Sequence, residues 1–453
     1  MQNELKRKYG LPTAISMVVG IIIGSGIFFK AQKVLAVSEG SLPISVLAWV
    51  IGGLIMIVCA LAFANLASRY ERVNGIVDYA EVAVGPKYGY MIGWFLTTIY
   101  YPAITSVLAW VSARYFCELF GMDITGGGCL AIAAFFMCAS YGVNAISPKL
   151  AGKFQVSTTV IKLIPLIAVG LIGTVIGLIN GLTVQNFSAP VITETFSPGN
   201  ALFISVCATA FAYEGWIIAT SINSELVDGK KNLPIALVGG ALIVITVYTL
   251  YNIGLFGAVE RDIVLNEGTT PAFSALFGNA GATIVAVLIV VSCLGTLNGL
   301  MLGCTRGLYS LAVRGVGPKP GIFRQVDPAT NMPSNSSVIG LVLCGFWLMY
   351  FYGANLTSPL WFGPFSFDSS ELPIITLYAA YIPIFIMTMR KEKDMKPFAR
   401  IGINSLAIAG CVFMMIAAVV SHQIAVAYYL ILFVIVMLIG LLFYRNGKNR
   451  SHD

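Results

Sequence analysis

Charge is what this sequence lacks. Of 453 residues only 10% are Asp, Glu, Lys or Arg, 58% are hydrophobic, and the mean hydropathy is +0.86. A soluble chain would carry about a quarter charged residues, so a soluble globular protein is excluded and a polytopic membrane protein is required. Histidine is nearly absent: His422 is expected in an outer loop and His452 in the tail. There is no HExxH, no GxSxG and no Walker phosphate loop, so a membrane hydrolase or an ATPase has no machinery here. The nine cysteines are scattered, mostly in apolar runs, and no pair has metal-ligand spacing. They read as small packing residues, although Cys117 and Cys129 flank one outer loop and could meet. No enzymatic activity, cofactor, metal or nucleic-acid partner is expected. The net charge of +7 needs a topological reading instead.

What is present is apolar runs of about 20 residues, the length that suits a bilayer core roughly 30 Å thick. Twelve are predicted: 12–37, 41–67, 88–118, 127–147, 155–180, 201–227, 234–258, 281–312, 337–353, 369–389, 402–421 and 423–444. No cleavable signal precedes the first; Met1–Gly10 is short and basic, so the first span is expected to act as its own insertion signal. With the N-terminus inside, 21 of the 27 Lys and Arg fall on the inner side. Only Lys30, Lys33, Arg114 and Arg261 fall outside, and Lys162 and Arg306 lie within spans. That asymmetry predicts both termini in the cytoplasm and a multi-pass protein of the cell membrane.

The first span carries "VVGIIIGSGIFFK", whose Gly20, Gly24, Ser25 and Gly26 are built to interrupt a helix. Gly24 lies roughly 18 Å along the span at about 1.5 Å per residue, near the midplane. A second glycine-centred stretch, "TAFAYEGWIIAT", occupies 209–220. The following spans carry "IGGLI" at 51–55 and "VGGALI" at 238–243. The offsets, 191 from Gly24 to Gly215 and 187 from Gly52 to Gly239, suggest a repeat of five spans. Five is odd, so the second copy enters from the opposite side and the repeats are inverted. The predicted organisation is a tail at 1–10, a first repeat at 11–180, a second at 201–390, and two appended helices with a tail at 391–453.

Unwound backbone at membrane depth survives only where protein or a polar cavity surrounds it. Freed N–H groups at the outer half-helix attract a carboxylate, and freed carbonyls attract an ammonium. Two facing breaks would therefore hold a zwitterion; the alternative is that Gly20 and Gly24 only allow close helix packing. Lys162, about seven residues inside the fifth span, is costly unless paired. A buried ammonium can donate to freed carbonyls as a sodium ion would, and it is expected to point at the first span near Gly20–Ile22. Glu214 is either a proton carrier or a group facing water in an outer vestibule. Asp368 and Glu371 are expected to cap the tenth span. Tyr213 and Trp216 are occluding lids or ordinary packing, and Arg306 is expected to meet loops or lipid phosphates.

The stretches "GIIIGSGIF", "FAYEGW", "TVIKLIPL" and "NGLMLGCTRGLYSLAVRGVGPKP" resemble the amino-acid/polyamine/organocation permeases, in their L-type amino-acid transporter branch. The resemblance implies an all-α LeuT-type fold of twelve helices, with helices 1 and 6 unwound at the midplane. It implies that the substrate carboxylate meets amides at Ser25, Gly26 and Ile27. The substrate amine would meet carbonyls of Ile22, Phe211, Ala212 and Glu214, with Gly24, Tyr213 and Trp216 shaping the space. Asn298 matches a core-facing position of the eighth helix. Lys162 sits where sodium-coupled relatives bind sodium, which implies sodium-independent transport. The implied function is exchange of small or medium neutral L-amino acids, 1:1, by rocking spans 1, 2, 6 and 7 against 3, 4, 8 and 9. Proton symport on the same fold is the first alternative, and a sensor or channel the second. The outer loop "LFGMDITGGG" has no cysteine, so no heavy-chain subunit is expected.

Overall fold

The computed structural model describes residues 10–70, 75–146, 148–192, 197–217, 226–328, 330 and 332–444. Most of both tails, Arg72 and the inner end of the predicted sixth span therefore lie outside the described residues. Every regular element among the described residues is a helix, as a chain with almost no charge must arrange in lipid, where backbone groups have to bond within their own segment. The helices that matter here are α1 (Leu11–Ile22), α2 (Gly26–Val37), α3 (Leu42–Arg69), α4 (Pro86–Leu119), α5 (Gly127–Ile146), α6 (Pro148–Ile179) and α7 (Pro198–Thr209). They continue with α8 (Gly229–Ala258), α9 (Thr270–Ala312), α10 (Ser334–Asn355), α11 (Leu372–Lys391), α12 (Phe398–His422) and α13 (Ile424–Leu442).

Ten of these are long and apolar enough to cross a membrane: α3 to α6 and α8 to α13. The first predicted span is instead two 12-residue helices, α1 and α2, separated by Ile23–Ser25. The sixth begins as the 12-residue α7, which ends at Thr209 before a turn through Gly215. Gly215 has φ +102, a backbone that side chains resist. Twelve residues rise about 18 Å, too short to cross alone. Of the glycines predicted to interrupt a helix, Gly24 lies between α1 and α2, Gly26 begins α2, Gly20 lies in the last turn of α1, and Gly215 follows the end of α7 by six residues.

Burial ranks the helices. In α4, 83% of the apolar window is buried, against 11% in α13; α4 is the central pillar and α13 faces outward with Leu430, Val434, Leu438 and Leu442. The pillar contains one π-helical turn, Leu96–Tyr100, which re-aims Tyr100 into the interior. Helix α8 packs on α1, α3 and α6, and α9 packs on α4 and α6.

Two glycine contacts are related by the predicted repeat. A side chain at Gly52 on α3 would meet Thr209 of α7 at 2.3 Å, and one at Gly240 on α8 would meet Val18 of α1 at 2.6 Å. In α8 the close contact belongs to Gly240, and nothing approaches the side of the adjacent Gly239 within 4 Å.

The tightest helix pair is α6 on α8. A Cβ at Gly173 would lie 2.1 Å from the Gly254 carbonyl oxygen, and one at Gly254 2.3 Å from that of Val169. Small residues let the two backbones touch. Substituting Gly254→Val forces the helices apart, an overpacking cost of about 1–3 kcal/mol or more. Thermal unfolding in detergent is expected to show a lowered Tm for Gly254→Val and no loss for Gly239→Ala. Equal Tm values would disprove the contact.

Candidate functional site

Lys162 is fully buried on α6. Its Nζ donates to the Gly20 carbonyl oxygen at 2.8 Å and to Thr296 Oγ1 at 2.9 Å. Gly20 lies in the last turn of α1, where carbonyls lose their helical donors and the helix dipole favours a cation. The ammonium therefore points at the first span, as expected from the sequence, and also ties it to α9. Glycine is required along this contact. A Cβ at Gly20 would sit 2.1 Å from Thr159 Oγ1, one at Gly24 2.6 Å from Thr296 Oγ1, and one at Gly26 2.5 Å from Ala212 Cα. Packing and interruption are both served by the same glycines.

Across the break, α2 starts at Gly26 with no side-chain cap at Ser25. The first N–H groups of such a helix have no internal acceptor. The Ser25 hydroxyl is buried and has no hydrogen-bond partner among the described residues, and Ile27 is fully buried beside it. Facing them, the Tyr248 hydroxyl on α8 lies 3.3 Å from the Ile22 carbonyl oxygen and 3.0 Å from that of Ala212. One side chain thus bridges the ends of both interrupted segments. Nothing in the run "VITVYTLY" singles out this tyrosine, because its partners lie 226 and 36 residues away.

The other predicted residues separate. Tyr213 is buried, donates from its hydroxyl to the Trp49 carbonyl at 2.6 Å, and packs on Trp49 and Tyr248. Trp216 packs between Phe63 and Tyr381. Both are wedged in the helix interior. Phe211 packs on Phe29 and lies beneath the Lys30 ammonium. Asn298 accepts through Oδ1 from Asn144 Nδ2 on α5 at 2.9 Å, two positions from the Thr296 that meets Lys162. Arg306 is exposed on α9. Glu214 does not face an outer vestibule: it is buried, and its Oε1 accepts from the Tyr100 hydroxyl that the π-turn of α4 aims at it. Its Oε2 has no partner among the described residues.

The ends of α2, α11 and α12 that meet one another differ most from the sequence reading. Lys30, counted from the sequence only as an outer-side charge, is fully buried and donates to Glu371 Oε1 at 2.6 Å and Ser370 Oγ at 2.9 Å. Lys33 donates to Glu371 Oε1 at 2.5 Å and Asp368 Oδ2 at 2.9 Å. Glu371 holds the N-cap position of α11 but makes no side-chain cap bond, because two ammonium groups and His422 Nε2, 3.0 Å from Oε2, take its oxygens. His422 is the last residue of α12, turned inward onto this carboxylate. Cys117 and Cys129 are buried free thiols.

This geometry offers N–H groups at one helix start, carbonyls at two helix ends and a fixed buried cation. Groups of this kind can bind and orient a charged ligand; among the described residues, none of them is paired as a nucleophile with a base. The sequence profile of the family described as "Amino acid permease" matches residues 9–444. The serine/threonine exchanger SteT of Bacillus subtilis (strain 168) is 30% identical over 99% of this chain and 98% of its own. The human b(0,+)-type amino acid transporter 1 is 27% identical, over 98% of this chain and 88% of its own length. The human cystine/glutamate transporter is 28% identical over 73% of this chain and 66% of its own. Whole-length agreement with transporters, on a multi-pass helical bundle with two interrupted segments, places this chain in the amino acid permease family of the amino-acid/polyamine/organocation transporters.

Proposed function

We propose that the protein is a sodium-independent secondary transporter of small or medium neutral L-amino acids that works by obligatory 1:1 exchange. The observation that carries this reading is Lys162 donating to Gly20 and Thr296. A fixed ammonium at the end of α1 supplies the positive charge that a mobile coupling cation would otherwise bring. Exchange is supported by the Bacillus relative, a serine/threonine exchanger. The substrate carboxylate would meet the N–H groups of Ser25, Gly26 and Ile27, and its ammonium the carbonyls of Ile22 and Ala212. Phe211, Tyr213, Glu214, Trp216 and Asn298 would support this site through packing.

The reading extends to a twelve-span architecture. Residues 11–180 and 201–390 would form two inverted repeats, with α1 and α2 as the first span and α7 as the outer half of the sixth. The reciprocal contacts of Gly52 on α7 and Gly240 on α1 support it. So does the placement of both helix ends beside Tyr248. Both termini would be cytoplasmic in a cell membrane, the carrier would act without a heavy chain, and alternating access would rock α1, α2, α3, α7 and α8 against α4, α5, α9 and α10.

The test is uptake of labelled L-alanine and L-serine into proteoliposomes without sodium or a pH gradient. Vesicles preloaded with unlabelled amino acid are expected to accumulate label at least about tenfold faster than empty ones, because the empty carrier would reorient slowly. Equal rates would overturn exchange. Lys162→Ala removes hydrogen bonds from a charged donor, worth about 1.5–3 kcal/mol each. It is expected to raise the substrate KM about tenfold or more from at least one side, with folding checked by detergent gel filtration. An unchanged KM from both sides would remove its assigned role.

A second reading, proton symport on the same fold, rests on Glu214, a buried carboxyl group with one oxygen unpartnered among the described residues. Glu214→Gln keeps an acceptor for Tyr100. Under exchange it is expected to leave transport within about threefold of wild type, below the ~1 kcal/mol of a typical lost hydrogen bond. Uptake driven by an inward proton gradient in the wild type, and lost in Glu214→Gln, would favour symport.

A further inference from the structure

The outer ion cluster holds a group that neither the permease family match nor transport accounts for. Cys207 in the last turns of α7, Glu371 at the start of α11 and His422 at the end of α12 bring three ligand atoms together. Among the described residues this is the one set of three or more His, Cys, Asp or Glu residues whose ligand atoms all lie within 4.8 Å of one another. Sγ of Cys207 is 3.7 Å from Glu371 Oε2 and 3.8 Å from His422 Nε2, and Nε2 is 3.0 Å from Oε2.

We propose that these three side chains form a zinc site on the outer face. Zinc takes thiolate, imidazole and carboxylate at about 2.3, 2.0–2.1 and 2.0–2.2 Å in tetrahedral geometry, so its ligand atoms stand roughly 3.3–3.6 Å apart. The three separations here fall within a few tenths of an ångström of that triangle. The mix of one sulfur, one nitrogen and one oxygen selects zinc over calcium or magnesium, which prefer all-oxygen sites. A water molecule completes the fourth position.

The two lysines organise the carboxylate for this role. Lys30 and Lys33 both hold Oε1, so Oε2 is fixed toward the histidine and the cysteine, as outer-shell partners fix a metal ligand. Their charges do not forbid the ion. The Cys207 thiolate and the Glu371 carboxylate together balance the two charges of the ion. On binding, the Cys207 thiol proton leaves to solvent, and the hydrogen on His422 Nε2 that faces Glu371 Oε2 also leaves, to solvent or to Nδ1, so that Nε2 presents its lone pair. The His422 side chain, 12% exposed, is the accessible edge, while Cys207 and Glu371 are sealed beneath it. Bound zinc would tie α7, α11 and α12 together. The ligands are 164 and 51 residues apart, which is why spacing in the sequence shows no metal motif.

The experiment is cobalt and zinc titration of the purified full-length protein in detergent, reduced and then freed of reductant. Cobalt is expected to give the thiolate-to-cobalt charge-transfer band and intense tetrahedral d–d bands at one ion per chain, and zinc to displace it. Absence of a thiolate band in the wild type overturns the site without reliance on any variant. Cys207→Ser and His422→Ala are each expected to weaken zinc binding by more than the about 10–100-fold that outer-shell changes cost. Zinc should also raise the Tm of the wild type and not of the variants. Undiminished zinc affinity in both folded variants overturns the assignment as well. Amino-acid exchange is not read in this titration, so a failed transport reading and a failed metal site are told apart.

Discussion

A buried ammonium without a carboxylate beside it has to be held by dipoles, and the centre of this protein is arranged around that constraint. Lys162 makes no ion pair among the described residues; it takes the Gly20 carbonyl and the Thr296 hydroxyl instead. The carbonyl is available only because α1 stops two residues later, at Ile22. The interruption and the lysine therefore explain each other. A continuous helix would spend the Gly20 carbonyl on its own backbone and leave the cation with the Thr296 hydroxyl alone. A neutral residue at 162 would leave the helix end unsatisfied in an apolar interior.

Small side chains set how close these parts come. Gly20 faces Thr159 and Gly24 faces Thr296, so the first segment is pressed between α6 and α9 at the level of the lysine. Gly26 lies against Ala212, which brings α2 onto the second interrupted segment. Farther along α6, the glycine contact with α8 fixes the helix that carries Tyr248. A side chain added at any of these points moves a backbone, and the polar contacts at the helix ends move with it.

How much of this was legible depended on the range of the interaction. The breaks at Gly24–Gly26 and around Gly215 are local chain chemistry, and the sequence shows them directly. Lys162 is legible because a cation inside an apolar run is anomalous wherever its partner lies. Which glycine of "VGGALI" packs on α1 was not legible, since two adjacent glycines read alike until the face each presents is known. Lys30 and Lys33 were read only as outer-side charges, and Glu371 as a helix cap. Their pairing joins residues about 340 positions apart, and only the packing of α2 against the start of α11 reveals it. Tyr100 and Tyr248 lay hidden among 20 tyrosines, with partners across the fold.

The two interrupted segments meet at a shared deficiency. Tyr248 has one hydroxyl hydrogen and stands between two carbonyl oxygens, at 3.3 Å and 3.0 Å. It satisfies them only in alternation, and the first distance is already long for an O–H donor. A substrate ammonium brings three hydrogens and a charge, and hydrogen bonds to charged groups are worth about 1.5–3 kcal/mol against about 1 for neutral ones. A ligand shifts a conformational equilibrium only by the difference in its affinity for the two states. Under the transport reading that difference arises where Ile22 and Ala212 converge, because any rearrangement that separates the two segments removes one acceptor from the ammonium. Lys162 on α6 ties the α1 end of the pair to Thr296 of α9, so a rocking of α1 and α7 together against α9 has to stretch or exchange that tie.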